Sequence, residues 1–308
     1  MTHSPIAGMS EITHEDYVKF MEKCREVTIG NVKVELHGDW RILSFSPPNE
    51  YMLERETVWS FPDRGSWATH IGDYRGNWSP YIPRNLILKY TVRGEWVLDQ
   101  MVGSGTTLVE CKLLGRNAIG VDLNHGAIMV ARDRLNFRYD KEDEGYFEPT
   151  IKTYVGDARN LDKISDESVD LIATHPPYAK IIPYTKSKVE GDLSNLPLPR
   201  YLEEIRRVAD ESMRVLKRGR YCAILIGDTR ERRHYVPISF MVMQQFLDAG
   251  FILKEDIVKR QWKTKTTRER WRGKDYDFYL IAHEHLFVFR KPGEDEEFKK
   301  FKYSVKWW

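Results

Sequence analysis

The chain alternates between two patterns of hydrophobic residues, one typical of strands and one typical of helices. This alternation is the main signal of its fold. Short apolar runs, typical of buried strands, are separated by segments with apolar residues at helical spacing. The strand-like runs are residues 94–100, 117–122, 153–158, 169–178, 220–228, 252–260 and 284–291. The helix-like segments are residues 83–90, 105–115, 125–138, 198–219 and 236–250. Strands that alternate with helices predict a mainly parallel sheet covered on both faces.

The last two strand-like runs have no clear helix between them, so they predict an antiparallel hairpin at one edge of a seven-stranded α/β sheet. Residues 1–56 read as an N-terminal extension with one helix, for which Thr13 is the N-cap candidate and Asp16 follows three residues later. Gly115 and Gly219 are predicted to end the helices that precede them.

Composition limits the class of protein. The 308 residues are 41% hydrophobic and 31% charged, and the net charge of +2 indicates no particular partner, so any basic surface must be local. Three widely spaced cysteines favour a reducing compartment over a disulfide framework. The N-terminus has no apolar leader, and no run of about 18 apolar residues occurs. We therefore expect a cytoplasmic protein that does not span a membrane.

Polar residues follow the predicted strands at the edge where open α/β sheets bind ligands. Asp99 and the turn Gly-Ser-Gly-Thr-Thr follow the first strand, Asp122 the second and Asp157 the third. A glycine turn followed about 20 residues later by an acid admits either a dinucleotide or S-adenosylmethionine. Position 108 is Leu where a nicotinamide site prefers a third glycine, and no Gly-Lys-Ser/Thr is present to hold a nucleoside triphosphate.

The fourth strand runs into Thr-His-Pro-Pro-Tyr at residues 174–178. With "LDQMVGSGTTLVECKLLGRNAIGVD" at residues 98–122, this turn resembles the S-adenosylmethionine-dependent DNA amino-methyltransferases, which methylate N4 of cytosine or N6 of adenine. The resemblance covers roughly residues 57–291 and implies a Rossmann-like methyltransferase fold. The chain departs from the family's usual Asp-Pro-Phe at Gln100 and Met101.

The resemblance implies a set of site residues. The methionine and ribose parts of the cofactor would lie against Asp99, Gly103, Ser104, Gly105 and Thr106. Asp122 would accept the ribose hydroxyls, and Asp157 with Ala158 would meet the adenine amino group. A segment near residues 78–85 resembles the part of these enzymes that closes over the cofactor carboxylate.

In the same way, His175 and the carbonyl of Pro176 would accept hydrogen bonds from the target amine, Pro177 would stiffen the turn, and Tyr178 would stack on a flipped base. Relatives usually carry Asp, Asn or Ser where this chain has His175, and only a neutral imidazole can accept a hydrogen bond. The alternative is that His175 merely ends the strand. The preceding Thr174 slightly favours cytosine N4 over adenine N6.

A basic stretch at residues 259–272 holds seven Lys or Arg against one Glu, within a predicted loop at residues 259–284 that is the candidate DNA-recognition element. Basic side chains bind phosphates and aromatic rings stack on bases, although such a run is also compatible with a solvated loop. The candidate residues for contacts with double-stranded DNA are Lys180, Arg230, Trp262, Lys263, Lys265, Arg268, Arg270 and Trp271.

Three further expectations remain open. An RNA or tRNA amino-methyltransferase, or a non-catalytic cofactor-binding DNA module, would carry the same motifs. His283 and His285 share a strand face, but no third ligand is evident, so no metal site is predicted. A restriction endonuclease is a candidate partner, and residues 292–308 form a C-terminal tail.

Overall fold

The computed structural model describes residues 6–74, 76–139, 148–178, 191–262 and 277–305. Its strands are β1 (Ser10–Glu11), β2 (Glu26–Ile29), β3 (Val32–Glu35), β4 (Val58–Ser60), β5 (Trp96–Asp99), β6 (Asn117–Asp122), β7 (Ile151–Val155), β8 (Val169–Thr174), β9 (Leu216–Ile226), β10 (Thr229–Glu231), β11 (His234–Val236), β12 (Ile252–Arg260) and β13 (His283–Arg290). Its α-helices are α1 (His14–Met21), α2 (Tyr81–Tyr90), α3 (Thr106–Leu114), α4 (His125–Leu135), α5 (Leu198–Val215) and α6 (Ile238–Asp248).

One large sheet organises the fold, with strand order β1-β7-β6-β5-β8-β9-β13-β12-β4. The seven predicted strands are confirmed, and the neighbours from β7 to β9 pair in parallel. The predicted antiparallel hairpin is β12 with β13. Two short strands from the N-terminal part lengthen the sheet, β1 beside β7 and β4 beside β12. The Rossmann-like α/β fold expected from the sequence is therefore present.

The order of the strands determines where a ligand can bind. From β5 the chain proceeds outward through β6 and β7, and it then returns to β8 on the other side of β5. Such a reversal opens a crevice beyond the carboxyl ends of β5 and β8. The motifs that follow these two strands therefore meet at one place.

Helices cover both faces of the sheet. Tyr201 and Phe246, from α5 and α6, belong to the apolar core on one face. Ile82, Leu108 and Ile128, from α2, α3 and α4, belong to the core on the other face. Because both faces are buried, the central strands are almost wholly apolar, which explains the continuous apolar runs in the sequence.

The ends of the helices largely follow the predicted signals. Thr13 caps α1 in a capping box with Asp16, and Gly115 ends α3 in the left-handed region at φ 70°. The prediction that α5 extends to Gly219 is wrong, because the helix ends at Val215 and Leu216 begins β9. The parallel pairing of β9 with β8 outweighs the helical spacing of apolar residues in this segment.

The N-terminal part packs on the sheet and on α4. β1 pairs with β7, and the β2–β3 hairpin buries Val27, Ile29 and Val34 in a cluster with Ala127 and Met129 of α4. Across the described ranges, none of the helices combines the length and apolar character needed to cross a membrane.

Candidate active site

A cavity of about 530 Å³ lies beyond the carboxyl ends of the central strands. Nine of the residues predicted from the cofactor and methylation motifs line it. They are Asp99, Gly103, Ser104, Thr106, Asp122, Asp157, Ala158, His175 and Pro177. The other three, Gly105, Pro176 and Tyr178, lie outside its lining. The structure therefore brings the cofactor motif and the His-Pro-Pro turn to one cavity.

Asp99 ends β5 and is held by hydroxyls from two other elements. Thr107 Oγ1 donates to its Oδ2 at 2.5 Å, and Thr174 Oγ1 donates to its Oδ1 at 2.9 Å. Burial raises the pKa of Asp99 to about 6, against the opposing effect of these hydrogen bonds. Asp99 therefore links the first turn of α3 to the strand that carries the His-Pro-Pro turn.

Asp122 ends β6 and holds the glycine turn. Its Oδ2 accepts from the Gly103 N–H at 2.9 Å, and its Oδ1 accepts from the Asn124 N–H at 2.9 Å. Burial raises the pKa of Asp122 to about 6. Gly105 has a packing role: its φ is 82°, and a Cβ there would lie 3.0 Å from the Ala131 Cα of α4. Gly103 thus faces the cavity, and Gly105 allows α3 to approach α4.

Asp157 follows β7 and is fixed by Arg159. Arg159 Nη2 lies 2.5 Å from Asp157 Oδ2, and Arg159 Nη1 lies 2.5 Å from Oε2 of the buried Glu204 on α5. These two carboxylates raise the pKa of Arg159 against the effect of its burial. The Asp157 carboxylate is therefore oriented at the cavity wall by a cation that stays charged.

His175 follows β8 and has two chemically different ring nitrogens. Nε2 lies 2.7 Å from the Tyr178 hydroxyl, while Nδ1 is buried and has no hydrogen-bond partner of good geometry among the residues that the structure describes. The ring stacks on Trp78 with centroids 6.0 Å apart. Burial lowers the pKa of His175; Glu284 opposes this effect, Lys259 adds to it, and the Gly76 backbone opposes it. The imidazole is accordingly neutral at physiological pH.

Tyr178 connects the turn to the far side of the sheet. Its hydroxyl donates to Glu284 Oε1 at 2.9 Å, and Glu284 Oε2 lies 2.8 Å from Lys259 Nζ. Its ring lies over Gly227, where a Cβ would come 2.9 Å from the ring. The predicted stacking of Tyr178 on a base stays a prediction.

Several residues around the cavity were missed from the sequence. Gly191 is close to Asp157, since a Cβ at Gly191 would lie 2.8 Å from Asp157 Oδ2. Asn77 Nδ2 donates to Ser104 Oγ at 3.3 Å. The other missed lining residues include Thr28, Ile29, Gly30, Tyr74, Gly76, Asp192 and Leu193. They come from distant parts of the chain that carry no motif, so only tertiary structure identifies them.

The segment near residues 78–85 divides into two parts. Trp78 lines the cavity, but Asn85 is buried on α2, where its side chain bonds to Tyr51 and to the carbonyl of Tyr81. Only the beginning of this segment is therefore in a position to contact a ligand.

Two of the predicted DNA-contact residues are described. Arg230 donates to the Arg233 and Tyr279 carbonyls at 2.9 and 2.8 Å, and Trp262 donates to Ser60 Oγ at 3.0 Å. The remaining candidates lie outside the described residues: Lys180, Lys263, Lys265, Arg268, Arg270 and Trp271.

The structure supplies the third side chain that the sequence lacked beside His283 and His285. Asp228 offers an oxygen within 4.8 Å of a ligand atom from each histidine. That carboxylate already accepts from the Ser239 N–H at 2.7 Å and from Ser239 Oγ at 2.9 Å, at the beginning of α6. His285 Nδ1 contacts Asp256 Oδ1 at 2.9 Å. These groups serve the fold, and the absence of a metal site stays a prediction.

The chain is similar to known methyltransferases over part of its length. The type II methyltransferase M.MthZI of Methanothermobacter thermautotrophicus is 28% identical over 108 residues, which is 30% of this chain and 30% of that protein. A tRNA (guanine(10)-N2)-dimethyltransferase of the same species is 31% identical over 106 residues, 34% of this chain and 29% of that protein. The chain thus spans about a third of these relatives' length. A SAM-dependent methyltransferase structure from Methanosarcina mazei, 17% identical, covers 68% of this chain and 98% of its own with a TM-score of 0.47.

Family membership rests on a longer match. The segment at residues 88–196 matches the RMKL-like methyltransferase domain. The family described as DNA methylase matches residues 32–133 and 169–307, which is well over half of the chain and includes both the glycine turn and the His-Pro-Pro-Tyr turn. With both motifs opening on one cavity, the chain belongs to the DNA methylase family of N6 and N4 amino-methyltransferases.

Proposed function

We propose that this protein transfers a methyl group from S-adenosylmethionine to an exocyclic amino group of a base in double-stranded DNA, with cytosine N4 slightly favoured over adenine N6. The observation that carries the proposal is the buried Nδ1 of His175, which has no hydrogen-bond partner within the described part of the chain and belongs to a residue that lines the cavity with the cofactor motif. A buried polar atom without a partner carries a free-energy cost unless a ligand completes it. An amine N–H would do so.

The residues around the cavity fit the cofactor. Asp99, Asp122, Asp157 and Asp192 line it, and none of its described lining residues is Lys or Arg. The negative electrostatic field of these carboxylates suits a positively charged sulfur. When bound, S-adenosylmethionine supplies a methyl group on such a sulfur. Asp122 would accept the ribose hydroxyls and Asp157 with Ala158 would meet the adenine, while Asp99 and the glycine turn would hold the rest.

The histidine and the proline carbonyl would prepare the amine. The lone pair of an exocyclic amine is delocalised into the base, which makes the nitrogen a poor nucleophile. Hydrogen bonds from its two N–H groups to His175 Nδ1 and the Pro176 carbonyl would favour a tetrahedral nitrogen with a localised pair. As the new N–C bond forms and the C–S bond breaks, the surplus proton on nitrogen would pass to His175 Nδ1.

The β10–β11 hairpin supports the proposal that DNA is the substrate. Its turn carries two exposed arginines, Arg232 and Arg233, directly beyond β9 at the same edge of the sheet as the cavity. Such basic side chains bind phosphates.

A product assay tests the function. The full chain is incubated with labelled S-adenosylmethionine and separate pools of double-stranded DNA and RNA, and the modified nucleoside is identified. We expect N4-methylcytosine or N6-methyladenine from DNA. Label in RNA alone would favour the tRNA-type activity of the dimethyltransferase relative, and cofactor binding without label in either pool would indicate a non-catalytic module.

A further inference from the structure

Side chains outside the lining of the cavity determine which ring nitrogen of His175 carries the proton. Tyr178 is three residues beyond His175, and its hydroxyl lies between His175 Nε2 at 2.7 Å and Glu284 Oε1 at 2.9 Å. A tyrosine hydroxyl has one hydrogen to donate. Because Glu284 is an acceptor when ionised, that hydrogen goes to Glu284, and the hydroxyl oxygen is left to accept from His175.

Glu284 is kept ionised by its surroundings. It is only 7% exposed, and Lys259 stands directly opposite it in the antiparallel β12–β13 pair. Lys259 Nζ lies 2.8 Å from Glu284 Oε2. Although burial alone would raise the pKa of Glu284, the Lys259 cation and other partners hold it below its usual value. A buried carboxylate with such a partner can only accept hydrogen bonds.

We infer that Glu284, held by Lys259, is a positioning residue that acts through Tyr178 to keep the proton of His175 on Nε2 and the lone pair on Nδ1. The inference deepens the proposed function and rests on it, because Nδ1 is the atom that would accept the target amine. Glu284 does not contact the substrate in this arrangement. Its effect is to select which nitrogen of the imidazole carries the proton.

The strand geometry explains how a distant residue reaches the turn. Gly227 follows β9, and its lack of a side chain leaves room for the Tyr178 ring, which a Cβ would approach to 2.9 Å. β13 pairs with β9 in antiparallel register up to His285 and Ile226, which brings Glu284 next to that glycine. The space above Gly227 is therefore the route by which the Tyr178 hydroxyl reaches Glu284.

The tautomer is measured directly by ¹⁵N NMR of the full chain labelled at histidine, with the His175 signals assigned by the His175→Ala variant. We expect the wild-type ring to show a protonated Nε2 and an unprotonated Nδ1. Glu284→Gln and Tyr178→Phe should each shift the ring toward the other tautomer. A wild-type ring protonated on Nδ1, with that N–H directed to the Gly76 backbone, would overturn the inference.

Kinetics give the second readout. Loss of the acid that fixes a catalytic histidine's tautomer costs up to about 10⁴-fold in turnover. We expect Glu284→Gln to lower kcat at least about tenfold with KM for S-adenosylmethionine nearly unchanged, and Tyr178→Phe to do the same although its ring is retained. Full kcat in both variants, with the tautomer shifted, would contradict the role of Glu284 in catalysis.

Asp170→Asn is the matched control. Asp170 is 2% exposed, pairs with Lys217 Nζ at 2.8 Å and lies at the start of the strand that leads to His175. The change removes a buried carboxylate from a lysine pair without touching the turn, so His175 should keep its wild-type signals. If no methyl transfer is found with wild-type protein, the proposed function fails, while the NMR result still decides the tautomer.

Discussion

The two halves of the cavity are built in different ways. In the acidic half, at the ends of β5 to β7, Asp122 and Asp157 bond to groups nearby in the sequence, such as the Gly103 N–H 19 residues before Asp122, and the one longer link is from Thr174 to Asp99, 75 positions apart. In the histidine half, at the ends of β8, β9, β12 and β13, the bond from Tyr178 to Glu284 joins residues 106 positions apart.

The halves also differ in how they use burial. Burial raises the pKa of Asp99 and Asp122 to about 6, and among the described residues the groups that hydrogen-bond to them are neutral donors. Glu284 is also buried, yet Lys259 lowers its pKa. The charges of Asp99 and Asp122 therefore change with pH near 6, whereas Glu284 stays ionised.

The largest expected effect separates catalysis from cofactor binding. His175→Ala removes the proposed acceptor of the target amine, so we expect turnover to fall by roughly 10²- to 10⁴-fold. Cofactor affinity should stay nearly intact, because it depends on the acidic half. Single-turnover kinetics and calorimetry measure the two quantities. Equal losses in both would mean that His175 supports the fold instead, and His283→Ala provides the control for removing a nearby histidine.

The acidic half should show the opposite behaviour. Asp122→Asn removes the proposed charged acceptor for the ribose hydroxyls, so we expect cofactor affinity to fall by about 1.5–3 kcal/mol, or roughly 10- to 150-fold. The rate of methyl transfer at saturating cofactor should change much less. Calorimetry at constant pH measures the affinity, and an unchanged value would remove Asp122 from the binding site.

The pH dependence follows from the raised pKa of Asp122. Hydroxyl donors would lower that pKa in the complex, so the stabilisation is complete above the free value of about 6 and is lost as pH falls through it. Affinity for S-adenosylmethionine should therefore decrease below about pH 6. The Asp122→Asn variant should lose the part of this dependence that comes from Asp122 and keep the part that comes from Asp99.

The same contrast explains what the sequence could predict. The glycine turn and the three acids were recognised because each follows a strand within one continuous motif. Glu284 carries no motif of its own inside "HEH", because it lies on the strand face opposite to the histidines at positions 283 and 285. A carboxylate within the buried run 284–291 needs a partner, and that requirement was the available signal. The identity of that partner depends on the pairing of β13 with β12 and β9, which the hydrophobic periodicity of the sequence does not specify.

The smallest expected effect concerns the outer edge of the histidine half. Arg232 and Arg233 form the β10–β11 turn with φ of 46° and 72°, a left-handed region that Asn-Gly occupies at lower cost. Replacing the pair by Asn-Gly should raise the free energy of unfolding by about 1 kcal/mol and should leave cofactor affinity unchanged.

If both arginines contact phosphates, the slope of log K for DNA against log salt should decrease by about 2. Arg206→Gln with Arg218→Gln, two partly exposed arginines away from this edge, is the control. If the Asn-Gly variant is more stable but its DNA affinity keeps the full salt dependence, the DNA surface lies away from the hairpin. The two arginines of the turn would then have no part in binding.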